Sequence, residues 1–231
     1  KTKDLILCGR INSCMGYLCK QDSCFEEALE FYERANEAFY ESDDERRYAI
    51  GLLSIAEQHI NLKEYARADS ILQIADNYEI DSAYYARIVD VKALALYNQQ
   101  LYDSALVLLL AIKDYPRNIE ARCYSYMKIM HCYEFLNQLE NAIEYAEHMI
   151  IKSQNPSYRA NAYYFLIEDA RVSLDMQRVV EYSRVREDED RKIQHDSELC
   201  AQAALKLKDY LRIPYPFLYL WIIIGVVILL I

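Results

Sequence analysis

Five copies of one hydrophobic pattern run along the chain. In each copy a small or apolar residue is followed twelve positions later by another, and then by residues four and seven positions further on. The second slot holds Ala28, Ala68, Ala105, Ala142 and Val179, at steps of 40, 37, 37 and 37 residues. Spacings of four and seven fall on one face of an α-helix. A self-similar period of this size marks a stack of helix pairs, each too small to bury its own apolar face. The pattern predicts an all-α fold of about five helix pairs over approximately 9–42, 49–82, 86–119, 123–156 and 160–193, together making a repeat array across 1–193.

The slots carry a packing logic. Small residues such as Gly16, Ala56 and Ala93 in the first helix (helix A) oppose Ala28, Ala68 and Ala105 in the second (helix B), so the two backbones approach closely. Phe25, Tyr65, Tyr102, Leu139 and Met176 then stand near the turn and cover the seam. The fifth copy is the weakest, because Ser183 and Arg186 occupy slots that are small or apolar elsewhere, Tyr32 included. Pro116 and Pro156 follow the third and fourth copies, where helical geometry has to stop. After the array, Asp196 is expected to cap a helix over 195–212 with Leu199, Ala203, Leu207 and Leu211 on one stripe. That helix would close the array or lie on lipid.

From Ile213 to Ile231 the chain has 19 residues without a charge. As a helix they would extend about 28 Å, close to the hydrocarbon thickness of a bilayer. The run is apolar on every face, which argues against a buried terminal helix of the array. Tyr215, Tyr219 and Trp221 cluster where it begins, as a membrane-interface belt would. Pro214 and Pro216 break the helix before it. The expectation is a single transmembrane segment that continues beyond Ile231. Lys206, Lys208 and Arg212 on its N-terminal side favour a cytoplasmic array, but the opposite flank needed for comparison is not in the sequence. The side on which the array lies is therefore open, cytoplasmic or extracytoplasmic.

Composition narrows the function. The 231 residues include only 4 Gly and 4 Pro, which leaves no phosphate-cradling glycine loop and little hairpin structure. Net charge is −10, so this segment lacks the basic footprint that nucleic acid demands. The run Glu187-Asp188-Glu189-Asp190 reads as a solvated helix face or turn. The 7 Cys form no CxxC pair, which removes the zinc-ribbon pattern and leans toward reduced thiols. The four histidines show no HExxH pairing. No catalytic constellation, cofactor motif or metal set is expected, and the chain reads as a non-enzyme.

The repeats resemble those of the tetratricopeptide family, whose signature has the same small–aromatic spacing and a late proline. The resemblance covers about residues 9–193 and is strongest in the second and third copies. Here the period is 37 rather than the family's roughly 34, and the family's helix-A Trp position carries Asn12, Leu52, Val89, Tyr126 and Tyr163. The resemblance implies a right-handed α-solenoid whose inner groove, lined mainly by helix A, holds a protein or peptide. Following helix A through the copies gives the groove candidates Tyr17, Glu57, Arg87, Tyr97, Tyr124, Met127, His131, Tyr164, Glu168 and Arg171. Of these, Tyr97, Tyr124, Tyr164 and Arg171 are expected as exposed contacts. The family's clamp for chaperone C-termini is not matched, since Ser13, Tyr17 and Val91 stand where its polar and basic residues would be.

Two readings follow. In the first, the array is the sensor or interaction domain of a larger membrane-bound signalling or regulatory protein, as in bacterial proteins that carry an output domain beyond the membrane helix. In the second, it is a tail-anchored cytosolic scaffold that assembles a complex at the membrane.

Overall fold

In the computed structural model the described residues are 2–115 and 119–211, with side chains described except at 119–121, 200, 201 and 203–211. They form α-helices and no strand: α1 (Thr2–Gln21), α2 (Phe25–Glu41), α3 (Glu45–Asn61), α4 (Tyr65–Ala75), α5 (Ser82–Asn98), α6 (Tyr102–Ile112), α7 (Ile119–Phe135), α8 (Leu139–Lys152), α9 (Pro156–Val172) and α10 (Met176–Leu211). Odd-numbered helices occupy the A positions and even-numbered helices the B positions. The turn residues read from the pattern, Phe25, Tyr65, Tyr102, Leu139 and Met176, are each the first residue of a B helix.

Each A-to-B turn passes through one residue in the left-handed region: Ser23, Lys63, Gln100, Asn137 and Leu174, with φ between 58° and 64°. In four of the turns the next amide donates to the carbonyl five residues back, as Cys24 does to Cys19 and Glu64 does to His59, at 2.9 and 2.8 Å. This closure satisfies carbonyls that the helix end would otherwise leave unpaired, and glycine is its usual residue. None of the five positions is glycine, so sparse glycine gave no sign of these turns.

The described residues divide into two compact units, one of residues 2–99 with 202–211 and one of Gln100–Ala201. In the first, α1, α2, α3 and α4 pack in succession and α3 also packs on α5. In the second, α6 through α9 pack in succession and α7 also packs on α9. Contact of one A helix with the next, as between α3 and α5 and between α7 and α9, is how a pair covers the face it cannot bury by itself.

The repeated slots are where these helices meet. Ala28, Ala105 and Ala142 are 0% exposed and Ala68 is 1% exposed, and Ala56, Ala93 and Met130 opposite them are fully buried. Tyr32, Leu72, Leu109 and Ala146 extend each seam inside the protein. In α1 the approach is closer still: a Cβ on Gly9 would lie 2.5 Å from the buried Phe39 ring of α2. The α7–α8 seam is filled by aromatics, with Tyr145 packed on Tyr126 and Tyr133 at centroid distances of 5.5 and 5.8 Å. Burial there pushes the Tyr145 phenol up to about 12.

The C-terminal part of the array differs from expectation. Instead of a new helix capped by Asp196, α10 runs unbroken from Met176 to Leu211. No Gly or Pro interrupts that stretch, so nothing stops the helix at 193–196. The acidic run lies within α10, and one member is not solvated. Glu189 is 5% exposed, with Arg159 of α9 at 2.7 Å and Lys192 at 2.9 Å. Arg159 also donates to the Ser153 carbonyl at 2.8 Å, which ties α10 to both α9 and the α8–α9 connection. Burial alone would raise the Glu189 carboxyl, but hydrogen bonds and charge from Arg159 and Lys192 outweigh it and hold it below the ordinary glutamate range.

Among the described residues no helix is long and apolar enough to cross a membrane. The expected span 213–231, with Tyr215, Tyr219 and Trp221, lies outside the described residues, as does Pro116.

Two stability predictions follow from this packing. Gly9→Leu should overpack the α1–α2 crossing and cost about 1–3 kcal/mol in urea denaturation. Glu189→Gln should cost about 1–3 kcal/mol near neutral pH, since it leaves a buried charged partner short of its acceptor. Because the folded carboxyl titrates below its unfolded value of about 4.3, the ion-pair contribution is complete above that pH and is lost as pH falls through the folded pKa. Melting curves of the two proteins should therefore differ above about pH 5 and converge in stronger acid.

Candidate functional site

The A-helix residues of the first unit are joined by charge. Lys20 of α1 lies 2.8 Å from Glu57 of α3, and Arg87 of α5 lies 2.9 Å from the other oxygen of that carboxylate. Arg87 reaches Asp90 as well, at 3.6 Å. Glu57 and Asp90 are only 4% and 2% exposed. Three successive A helices are thus pinned by one buried carboxylate whose two oxygens each hold a cation. Beneath it, burial and the negative charge of Glu57 raise the Tyr32 phenol well above its ordinary value. Of the groove candidates in this unit, Glu57 is a buried ion-pair hub and Arg87 its half-exposed partner. Tyr97 is half-buried, and Tyr17 is the most open, at 50% exposed. An ordinary i-to-i+3 count along one helix would not have revealed the Lys20–Glu57–Arg87 chain. The three residues stand at different turns of their helices, so no single repeat position carried the signal.

In the second unit the candidates fall in two places. On α7, Tyr124, Met127 and His131 are half-buried. The ammonium of Lys128 lies 4.3 Å from the Tyr124 ring centre, and His131 meets Glu134 at 3.0 Å. On α9, Tyr164 is 52% exposed, and Arg171 pairs with Glu168 one turn away.

Tyr164, Glu168 and Arg171 come together on one wall of an open cleft of about 240 Å³ between α9 and α10. The facing wall belongs to α10 and was not among the candidates. Ser183, Arg186 and Asp190 line it, and the Arg186 guanidinium lies 5.1 Å from the Tyr164 ring centre. The Nε of Arg186 is buried and makes no hydrogen bond within the protein; Asp190 is its ion-pair partner at 3.7 Å, beyond hydrogen-bond reach.

The cleft exists because of the fifth repeat's sequence. Slots that hold Leu109 and Ile112 in the third pair, and Ala146 and Met149 in the fourth, carry Ser183 and Arg186 here. Apolar side chains would have sealed the seam, whereas Ser and Arg leave it open and polar at the level of Tyr164, while Ile167, Ala170 and Val179 still close its floor. The arrangement offers a tyrosine face, two guanidinium groups and three carboxylates (Glu168, Glu187 and Asp190) around one recess. Tyrosine and arginine are among the residue types enriched where proteins make their strongest contacts. Among the described residues no group of three or more His, Cys, Asp or Glu is placed to hold a metal ion.

Comparison with protein-family models, with curated proteins and with solved structures finds no match for this chain.

Proposed function

We propose that this chain is a non-enzymatic protein- or peptide-binding module of tetratricopeptide-like helix pairs, held at a membrane by the apolar segment 213–231. In this reading it is the sensor or interaction domain of a larger signalling or regulatory protein. The observation that carries the reading is the α9–α10 cleft, where Tyr164 and Arg171 stay exposed beside the guanidinium of Arg186. Residues that merely stabilise a helix pair are buried at the seam, as Leu109 and Met149 are. An aromatic face and an arginine held open in a recess are instead the residue types that carry most binding energy at protein interfaces. The solenoid form and the family resemblance belong to this proposal and rest on the recurring slots and turns.

The tail-anchored scaffold is the second reading. It is favoured by the absence of a disulfide among the described cysteines Cys8, Cys14, Cys19, Cys24, Cys123 and Cys132, and by the basic residues that precede the apolar run. Both readings share the binding surface and the anchor, and they differ in which side of the membrane the array occupies.

Peptides selected by the full chain from a random display library should bind about tenfold or more weakly to the Tyr164→Ala, Arg171→Ala double variant, as loss of hot-spot contacts entails. Thermal melting of that variant should be unchanged, because both side chains are more than half exposed. Undiminished binding would remove the cleft from the function. For the anchor, Val226→Arg should cost about 2.5–3.5 kcal/mol of membrane insertion, read as loss of carbonate-resistant membrane retention. Retention equal to the parent would rule out a spanning segment. Protease protection of the array in sealed vesicles then separates the two readings.

A further inference from the structure

A second recess lies at the turn between α2 and α3 in the first unit, away from every helix-A candidate. Tyr40 stands in the last turn of α2, Tyr48 in the first turn of α3, and Tyr78 in the connection from α4 to α5. The Tyr48 ring lies 5.5 Å from that of Tyr40 and 5.9 Å from that of Tyr78, inclined to them by 51° and 65°. All three line one open cavity of about 430 Å³, whose rim carries Glu41, Asp43 and Glu45. Burial, then the proximity of Tyr48, Glu45 and Tyr40, raises the Tyr78 phenol above its usual value, so the rings and the rim are close enough to feel each other.

Three tyrosine rings, with Tyr48 inclined to the other two, wall one common space, and cations are attracted to aromatic walls of this kind. Elsewhere in the described residues the chain supplies those cations itself: Arg34 over Phe31, Lys128 over Tyr124, Lys152 over Tyr126 and Arg186 over Tyr164. Among the described residues no lysine or arginine stands over Tyr40, Tyr48 or Tyr78. The two basic side chains at the start of α3 are already paired, Arg46 with Asp81 at 2.7 Å and Arg47 with Asp44, the N-cap of α3. Glu41, Asp43 and Glu45 form no ion pair among the described residues. The recess therefore combines aromatic faces without a cation and carboxylates without a counter-charge.

We propose that this recess binds a methylated ammonium group, with Tyr40, Tyr48 and Tyr78 as its walls and the carboxylates of Glu41, Asp43 and Glu45 at its mouth. Methylation selects for this site on physical grounds. A primary ammonium is compact and strongly hydrated, so leaving water for an aromatic face costs it more than it gains. A trimethylammonium spreads its charge over apolar methyl groups, sheds water readily and is drawn to the ring faces. The rim draws it in from a distance and repels anions, an effect that salt weakens. The group can arrive on a free small molecule or on a lysine side chain of a peptide.

The test uses the full chain in maltoside micelles, which carry no ammonium headgroup, and three probes: choline, a peptide bearing trimethyl-lysine and the same peptide with unmodified lysine. Saturation-transfer NMR reads the N-methyl protons of the first two, and calorimetry ranks all three. The methylated peptide should bind at least about fivefold tighter than its unmodified twin, and Tyr40→Ala should weaken methylated probes about two- to fivefold, as loss of one aromatic wall implies. Tyr40 is 69% exposed, so this variant keeps the fold, which its melting curve checks. Glu45→Gln should weaken binding and flatten its salt dependence, while Tyr164→Ala, in the other unit, should leave it unchanged. Choline matching the methylated peptide identifies a free small cation as the source, and a much tighter peptide identifies a modified side chain. Equal affinity for methylated and unmodified peptide, no N-methyl saturation, or indifference to Tyr40→Ala would each overturn the proposal.

Discussion

Everything in this fold depends on how closely two helix backbones can approach. The A and B helices of a pair share only one crossing, and a pair of 30-odd residues has too little interior to bury anything large by itself. Alanine at the crossing lets the helices come together, so that the neighbouring tyrosine, leucine or methionine can fill the remaining space instead of forcing the pair apart. The fully buried Ala28, Ala105 and Ala142 show the arrangement, and Gly9 beneath Phe39 shows its limit. In the first unit close crossings also bring α1, α3 and α5 within reach of one another, which is where the Lys20–Glu57–Arg87 chain forms.

That constraint also explains where binding surfaces arise. A seam packed with small and apolar side chains has no room for a ligand, and a recess opens where the repeat breaks its own rule. The fifth pair does this with Ser183 and Arg186, and its cleft is lined by a tyrosine and charged groups. The α2–α3 turn does it differently: its acidic residues extend beyond what the helix cap requires, and three tyrosines meet there outside any seam. Other aromatics serve as filling, as Tyr145 does, or lie under a cation from the chain itself, as Tyr124 does under Lys128. Tyrosine is common here because one side chain serves both purposes, with an apolar body and a polar tip.

The candidate residues show what a single-sequence reading can and cannot resolve. Of the four residues expected to be exposed, Tyr164 and Arg171 are more than half exposed, whereas Tyr97 and Tyr124 are half-buried. Glu57 was picked for the same groove and is buried, since its neighbours are cations from two other helices that only stacking brings near. Arg186 was read as an imperfect packing residue, and its role as the opposite wall of the cleft depends on how α10 lies against α9. Glu189, read as part of a solvated run, is held inside by Arg159, thirty residues away in the sequence.

The pattern along the chain is enough to tell that the described residues are helical, that the helices come in pairs at a near-constant step, and which positions meet at the crossings. Those properties follow from local periodicity and from the size of single side chains, both of which can be counted along a chain. How α10 lies against α9, which acidic residues are buried and where a seam stays open come only from the tertiary structure. Each of these depends on groups from different repeats meeting in space, and the energy of a buried ion pair or an unfilled recess belongs to that meeting rather than to any one residue.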